Sequence, residues 1–437
     1  MADSIFSLKD KITFSYATKG NDFVGCKVSN EKIKVTLPIG YKTLNLTDMN
    51  DEEIRLVIQK LVFAIVNEGK KREGEFHGHI NTTIDQSYDV PVSACYFLIM
   101  DYLKNGYYTT SEPSFQQRTS GKIDWNKTIK TVKPSFTKEG DPVYLQYVVR
   151  KSQINDEEMI TQIHKYCVWF AFNTFGFMLT SFNPEKPLLK YNKKLFVKII
   201  KKALASTFSR HESELFHNML ALLEILDNDC NFHSVIIGTT NFEHVWEYMI
   251  DTAYGETETF KKEDFFPNST WLIETDGNKI KKGWAGNLIP DTICLKKKEK
   301  EKYCYIFDAK YYGYSLEDIH SLPEMSSIAK QIHYGQYVYH KADDFGITDR
   351  THNIFNAFLL PGNLSDLKNS VQPRYIGYAR ETWNKEKKSY DFIYSYILDT
   401  ASLINDYSYS IKRINELTDS ILKDRSRIEK VESEFNK

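Results

Sequence analysis

The order of apolar and polar residues predicts short strands at the start of the chain, followed by helices. The first fifty residues alternate in stretches such as KITFSYA and KIKVTLPIGY, which is typical of strands with one buried face. Between residues 52 and 67 the apolar positions have helical spacing and follow a group of acidic residues, as at the start of an amphipathic helix. Further helical patterns cover residues 156–177 and 194–228. These patterns predict a mixed α+β N-terminal domain.

From residue 241 onward the pattern changes to alternating helices and strands. The helical stretch NFEHVWEYMIDTAY precedes three strand candidates, WLIET, NLIPDTICL and KYCYIFDAKYY. A helix is predicted over residues 326–341, then strand-like runs, then closing helices to residue 434. We therefore expect an α/β (α+β) fold, with a mixed central sheet flanked by helices in the C-terminal half. The predicted domains are residues 1–205 and 206–437.

Size and composition indicate a folded, water-soluble protein with more than one core. The chain has 437 residues, of which 41% are hydrophobic and 26% charged. The net charge of -1 provides no global positive field, so DNA binding would need a local basic groove. The six cysteines are scattered, and neither an apolar signal core nor a run of roughly eighteen apolar residues is visible. We expect a reducing, cytoplasmic location and no membrane segment.

Candidate chemistry lies in the segments IPDTICL and YCYIFDAK, which are separated by a lysine-rich turn and predict a hairpin. Asp308 and Lys310 are two residues apart on the second strand, so both side chains leave the same face. Asp291 lies near the middle of the first predicted strand. Antiparallel pairing, with strands roughly 4.8 Å apart, would bring Asp291 close to Asp308.

Two neighbouring carboxylates repel each other and favour a hard divalent cation between them. The backbone carbonyl of Ala309 could complete the ligand set. Lys310 could orient a metal-bound water or help to remove its proton, while the metal lowers the pKa of the water and neutralises developing charge. This combination of residues predicts metal-dependent hydrolysis of a phosphodiester.

Two other interpretations of the same residues are a surface salt bridge and a buried ion-pair network. The strand YCYIFDAKYY is so apolar that it is expected to be interior. Unpaired charges are costly in such a strand unless they face an active cleft, which favours the catalytic interpretation of Asp308 and Lys310.

The sequence also resembles known families. The order of a glutamate-bearing helix, IPD, IFDAKYY and a helix with KQIHY resembles the PD-(D/E)XK nuclease superfamily. More narrowly, FEHVWEYMI, GKIDWNKTIK and VYLQYVVRK are similar to LlaJI-type restriction endonucleases, which are related to the McrC nuclease subunit. The resemblance implies an endonuclease fold and magnesium-dependent cleavage of double-stranded DNA. It implies that Asp291 and Asp308 bind Mg²⁺ and that Lys310 is the catalytic lysine.

The resemblance extends to two helices. Glu247 matches an upstream helical glutamate that often joins the metal shell, and Glu243, one turn earlier, is its competitor. Gln331 matches a glutamine that faces the active site in relatives, and Tyr334 lies one turn later. The alternative is that the glutamates are surface acids, Gln331 a surface amide and Tyr334 a half-buried tyrosine.

A second candidate surface lies in GKIDWNKTIK, where Trp125 is combined with Lys127 and Lys130. An aromatic residue with basic neighbours on a loop suits contacts with the DNA backbone. Packing of Trp125 in a core, with the two lysines in solvent, explains the same residues equally well.

The resulting hypothesis is a site-specific type II restriction endonuclease whose N-terminal half recognises DNA or assembles subunits. Its expected partners are double-stranded DNA and a second copy of the chain, with a companion methyltransferase or NTPase subunit as further candidates. The chain has no GxxxxGK[ST] loop, so a nucleotide-driven, modification-dependent complex would need a separate motor subunit. A third hypothesis is a catalytically silent DNA-binding module.

Overall fold

The chain forms two compact units in a computed structural model. The inserted unit consists of the described residues between 86 and 235, and the sheet unit of those in 6–85 and 236–437. The structure describes the following residues: 8–18, 22–29, 32–75, 92–155, 158–226, 235–258, 260–275, 279–314, 318–364, 373–384 and 387–435.

The strands are distributed over both units. In chain order they are β1 (Ile12–Tyr16), β2 (Val24–Val28), β3 (Ile33–Leu37), β4 (Thr110–Arg118), β5 (Ser135–Phe136), β6 (Pro142–Val143), β7 (Tyr147–Asn155), β8 (Val235–Thr239), β9 (Asn268–Thr275), β10 (Lys279–Asn287), β11 (Thr292–Lys298), β12 (Glu301–Ala309), β13 (Ile354–Gly362), β14 (Arg374–Ala379) and β15 (Ile393–Asp399).

The helices are α1 (Asp51–Glu75), α2 (Val92–Asn105), α3 (Trp125–Thr131), α4 (Met159–Ala171), α5 (Phe177–Leu179), α6 (Lys193–Ser206), α7 (Arg210–Ile225), α8 (Phe242–Tyr254), α9 (Met325–His340), α10 (Ala342–Phe345), α11 (Thr400–Asn405) and α12 (Ile411–Phe435). A π-helical segment, Phe172–Gly176, joins α4 to α5. Within the described ranges, no helix combines the length and the apolar character needed to cross a membrane.

The main sheet of the sheet unit has the strand order β11-β12-β13-β15-β14. β12, β13 and β15 run parallel, whereas β11 and β14 are antiparallel to their neighbours. All residues of β13, whose sequence is IFNAFLLPG, are buried, so both faces of this strand must be covered. α8 packs against β11 and β12, and α9 packs against β12 and β13. The predicted mixed α/β class is confirmed.

The two helices cover different faces of this sheet. On the α9 face, Ile306 and Phe358 join a core that includes Ile332. On the other face, the Trp246 indole N–H of α8 donates to the carbonyl oxygen of Leu359 at 3.2 Å. The carboxyl ends of β12 and β13 are thus held between two helices.

The N-terminal strands belong to the sheet unit, not to a separate N-terminal domain. β1, β2 and β3 form a second sheet in which β8 lies next to β2, so residues before 40 pair with residues after 234. Gly25 shows how closely β2 approaches β8: it has φ = 143°, and a Cβ there would lie 2.1 Å from the carbonyl oxygen of Ile237. The inserted unit begins at residue 86 and ends at residue 235, whereas the sequence predicts a boundary between residues 205 and 206. Strand pairing between such distant segments is not encoded in local periodicity.

The inserted unit combines the antiparallel pair β4–β7 with α2, α4, α6 and α7. The helical pattern predicted over 194–228 is divided into α6 and α7. The break follows Ser206, and the side chain of Ser209 caps α7 by accepting the N–H of Glu212 at 3.4 Å. This serine stabilises the start of a second helix, so the single helix predicted from the sequence is replaced by two.

The inserted unit buries a histidine. His164 on α4 is fully buried, and its Nδ1 accepts the backbone N–H of Tyr108 at 2.8 Å. Its Nε2 has no hydrogen-bond partner among the described residues. Burial lowers the pKa of His164 to about 4; the nearby carboxylate of Asp101 opposes this change and His211 adds to it. The imidazole is therefore neutral in the folded unit.

Acidification is expected to destabilise the inserted unit through His164. The unfolded chain takes up this proton near the ordinary histidine pKa of about 6.5. Because the folded unit takes it up only near pH 4, the free energy of unfolding falls as the pH drops from 7 to 4, by about 3 kcal/mol. His164→Asn keeps an acceptor for Tyr108 and should flatten this dependence. Hydrogen exchange of the α4 amides in urea, at several pH values, would measure this dependence of the free energy of unfolding on pH.

The matched control for this prediction is His217→Asn, since His217 lies exposed on α7 in the same unit. This control should retain the wild-type pH dependence. If the free energy of unfolding falls equally steeply below pH 7 in wild type and in His164→Asn, other groups cause the destabilisation.

Candidate active site

The predicted hairpin is present, and it brings the two aspartates together. β11 and β12 are antiparallel with Thr292 opposite Phe307, so the preceding residue, Asp291, lies beside Asp308. Asp291 immediately precedes β11 and is not in the middle of a strand as expected. Pro290 explains the difference, because proline has no N–H to donate to a strand ladder.

The Asp291 carboxyl is held against the end of β12. Its Oδ2 accepts the backbone N–H of Ala309 at 2.8 Å. Burial, the neighbouring charges of Asp308 and Glu247, and a hydrogen bond with Asp308 raise the pKa of Asp291 to about 8, while the Ala309 N–H opposes this change. In the absence of a cation, the Asp291 carboxyl therefore retains its proton near neutral pH. A divalent cation would relieve the same repulsion, so this donor pair fits a hard metal ion.

Lys310 contacts the other aspartate. Its Nζ lies 2.9 Å from Oδ2 of Asp308, whose residue is only 7% exposed. The backbone N–H of Lys310 donates to the carbonyl oxygen of Leu359 at 3.0 Å, which continues the pairing between β12 and β13. The spacing of two residues places the amine and the carboxylate together, as the sequence predicts. The surface salt bridge is excluded by the burial of Asp308.

Glu247 is the α8 glutamate that interacts electrostatically with both aspartates. Burial raises the pKa of Glu247; His244 opposes this change, and Asp308 and Glu243 add to it. Its side chain is 40% exposed, with Oε2 3.6 Å from Nδ1 of His244. Among the two α8 glutamates, the charge of Glu247 and not that of Glu243 raises the pKa of Asp291. Packing of α8 on the sheet therefore favours Glu247.

The acidic side chains are neighbours but not a closed ligand cage. Throughout the described ranges, no three His, Cys, Asp or Glu side chains are placed to hold a metal ion by themselves. Asp291 and Glu247 instead line an open cleft of about 220 Å³ beside Pro290 and Tyr248. The arrangement leaves room for a substrate or water next to the paired aspartates.

A family comparison decides the identity. The family model described as LlaJI restriction endonuclease matches residues 23–378, which is most of the chain. The chain belongs to the LlaJI restriction endonuclease family. The expected LlaJI-type family is thereby confirmed.

One curated relative of this LlaJI-family chain is the YdjA component of the type II restriction enzyme BsuMI of Bacillus subtilis (strain 168). The two are 28% identical over 271 residues, which is 60% of this chain and 56% of the relative. The match thus spans about half the length of the relative.

Solved structures show a weaker likeness. A half-complex of Thermococcus gammatolerans McrB AAA+ hexamers with bound McrC has a TM-score of 0.33 at 12% identity, covering 91% of this chain and 83% of that chain. The McrBC complex of the same organism has a TM-score of 0.22 at 11% identity, covering 56% of this chain and 69% of that one. Likeness at this level does not establish a shared fold.

In this LlaJI-family chain, Gln331 and Tyr334 support the site from the α9 side. Gln331 is fully buried, and its Nε2 donates to the carbonyl oxygen of Ile306 at 2.8 Å. The Tyr334 hydroxyl donates to the carbonyl oxygen of Ile289 at 2.8 Å. Both side chains hold the backbone that leads to the two aspartates. The alternative of a surface amide for Gln331 is excluded by its burial.

Lys262 is a site residue that the sequence does not reveal. Its Nζ donates to the backbone carbonyl of Asp291 at 2.6 Å and lies 2.8 Å from Oδ1 of Asp251. A second lysine, Lys71, lies 3.1 Å from Oδ2 of Asp251. Lys262 follows another lysine in a polar stretch, so no pattern separates it from solvated lysines. Its position depends on the packing of the loop after α8.

The expected loop at GKIDWNKTIK is wrong for its second half, because Trp125, Lys127 and Lys130 lie on α3 of the inserted unit. Trp125 is 53% exposed, with its ring centroid 5.5 Å from that of Tyr147, and Lys127 and Lys130 are exposed. Asp124 caps this helix by accepting the N–H of Lys127 at 3.0 Å. Burial of Trp125 in a core is therefore excluded, and its combination with the two lysines stays a candidate DNA-binding surface.

Proposed function

We propose that this protein is a metal-dependent endonuclease of the PD-(D/E)XK type that hydrolyses phosphodiester bonds of double-stranded DNA in a restriction or defence system. The observation that carries the proposal is the contact of Asp291, Asp308 and Lys310 at the end of one hairpin. Membership of a restriction endonuclease family and a mixed sheet covered by helices support it.

The carboxylates of Asp291 and Asp308 would hold Mg²⁺, with the carbonyl of Ala309 and the carboxylate of Glu247 as further oxygen ligands. When bound, the metal supplies positive charge against the phosphate and lowers the pKa of its water. Asp291 must lose the proton that its raised pKa retains before it can act as a ligand.

The other groups position the reacting atoms. Lys310 Nζ, at 2.9 Å from Asp308, can donate simultaneously to the attacking water or to a phosphate oxygen, because an ammonium has three donors. This orients the water and stabilises negative charge that develops on the phosphate. The Ala309 N–H and Lys262 fix the side chain and the backbone of Asp291, respectively. Pre-organisation of this kind reduces the cost of aligning the substrate.

A second candidate function is a nuclease subunit that cuts only within a larger complex. The matched relative is described as a component of a type II restriction enzyme, and this chain has no nucleotide-binding loop of its own. In that case an NTPase subunit would be the partner. A stand-alone enzyme that cuts both strands symmetrically would instead require a second copy of the chain.

The inserted unit is a candidate for DNA recognition or subunit assembly, with exposed Trp125, Lys127 and Lys130 as its candidate DNA contacts. Phosphate contacts of this type contribute affinity without sequence information.

The proposal is tested by incubating purified protein with methylated and unmethylated plasmid, with magnesium or with a chelator. Discrete fragments that appear only with magnesium are expected for a stand-alone endonuclease. Cutting that is unaffected by the chelator would contradict the metal-dependent mechanism. No cutting of either plasmid at any protein concentration would reject the stand-alone enzyme and favour the partner-dependent subunit.

A further inference from the structure

An exposed β-ribbon leads directly into the candidate active site. β9 and β10 pair antiparallel, with Leu272 opposite Lys282 and Ile273 opposite Lys281. The Leu288 N–H closes the base of the ribbon by donating to the carbonyl oxygen of Pro267 at 2.8 Å. Asp291 follows Leu288 by three positions, so the two lie within about 10 Å of each other along the backbone.

The segment between the ribbon and Asp291 is fixed at both ends. The Ile289 carbonyl accepts the Tyr334 hydroxyl, and the Asp291 carbonyl accepts Lys262. A ligand that occupies the aspartate pair must therefore pass close to the base of the ribbon.

Large apolar side chains are exposed on both faces of the ribbon. Trp271 is 66% exposed and Trp284 is 73% exposed. Cross-strand partners share a face and neighbouring residues alternate, so Trp271 and Ile273 lie on one face and Trp284 on the other, with Leu272 and Ile280. A flat protein partner would cover one face only. Contact with both faces requires a groove with two walls.

The charges of the ribbon point to a polyanion. Lys281 lies on the face of Trp271, and Lys282 lies on the face of Trp284. Both are exposed, and neither forms an ion pair with any residue that the structure describes. By contrast, Lys262, Lys298 and Lys302 of the same unit each pair with an acid. Each face of the ribbon thus presents a lysine that pairs with no described acid, and Glu274 adds a carboxylate to the face of Lys282.

We propose that this ribbon enters a groove of the DNA duplex next to the scissile phosphodiester. Lys281 and Lys282 contact phosphates on the two sides of the groove, and Trp271 and Trp284 pack against its two walls beside them. The major groove of B-DNA admits a ribbon of two strands. The inference rests on the proposed function, because it takes Asp291 and Asp308 as the position of the cleaved phosphate.

The test compares full-length wild type with Lys281→Gln/Lys282→Gln and Trp271→Ala/Trp284→Ala. Binding to a labelled linear duplex is measured in chelator over a series of salt concentrations, and plasmid cleavage is measured with magnesium. The lysine variant should lower the slope of log Kd against log salt by about 1.8, since each lost phosphate contact removes about 0.9. The tryptophan variant should bind about tenfold more weakly.

The matched control is Lys297→Gln/Lys300→Gln, which removes two exposed lysines at or next to the turn between β11 and β12. It should bind and cleave DNA as wild type does. Because the ribbon side chains are largely exposed, all variants should have the melting temperature of wild type.

The outcomes separate the ribbon from the nuclease proposal. Wild-type cleavage that is lost in Asp308→Asn but unchanged in the ribbon variants overturns the ribbon proposal alone. Weaker binding by the ribbon variants, with no cutting by wild type, supports the ribbon and counts against the stand-alone nuclease. Unchanged DNA binding with a lower oligomeric mass for the tryptophan variant would assign the ribbon to a protein interface and overturn the proposal, as would no DNA binding by wild type.

Discussion

Asp308→Asn is expected to lower magnesium-dependent DNA cleavage by about a thousandfold while the protein remains folded. The substitution keeps the size of the side chain and removes the charge that would hold the metal and Lys310. Lys310→Met should also abolish most of the activity, because Nζ, at 2.9 Å from Oδ2 of Asp308, places a positive charge against the aspartate pair. Initial rates on plasmid DNA, with binding measured separately, would check both variants.

The control for this prediction is Asp343→Asn, since Asp343 is an exposed residue of α10 in the same unit. It should cut at the wild-type rate. If Asp308→Asn unfolds the protein, the carboxylate belongs to a structural ion-pair network. If the variant folds and cuts normally, the carboxylate is not part of a catalytic centre. Circular dichroism and thermal melting would distinguish a silent folded variant from an unfolded one.

Asp291→Asn is expected to stabilise the metal-free protein at pH 8 by about 5 kcal/mol while it abolishes cleavage. Burial raises the pKa of Asp291 and the neighbouring charge of Asp308 raises it further, so ionised Asp291 destabilises the folded protein. Asparagine can still accept the Ala309 N–H and can donate to Asp308. The variant therefore removes a repulsion that the proposed function requires.

The stabilisation of Asp291→Asn relative to wild type is expected to depend on pH. The unfolded chain loses the Asp291 proton above the ordinary carboxyl pKa of about 4. The folded protein retains the proton to about pH 8, so the wild-type free energy of unfolding falls as pH rises through this window. The advantage of Asp291→Asn should accordingly grow from pH 5 to pH 8.

Urea unfolding of the chelator-treated protein at these two pH values would measure the effect. Asp343→Asn should change stability by less than about 0.5 kcal/mol at both. Magnesium should stabilise wild type at pH 8 but not Asp291→Asn, because a ligand stabilises only the state that binds it. Equal stability of wild type and Asp291→Asn at pH 8 would show that the two carboxyls do not repel each other.

The sequence by itself determined the core of the candidate site. Two apolar runs flank a charged turn, so β11 and β12 pair locally, and the period of two places Asp308 and Lys310 on one face. Local pairing of this kind depends on neighbouring residues only and can be derived from their order. The resemblance to the matched family is likewise carried by short stretches of sequence.

Only the tertiary structure decided which distant residues join that hairpin. The choice of Glu247 over Glu243, the contact of Gln331 with the Ile306 carbonyl and the position of Lys262 each depend on the packing of a helix or loop against the sheet.

The same limit applies to the units of the chain. The strand β8 lies next to β2, which places the first strands in the sheet unit and makes residues 86–235 an insertion. Hydrophobic periodicity shows which face of an element is buried but not what covers it, because contacts between distant segments are selected by the packing of the whole unit.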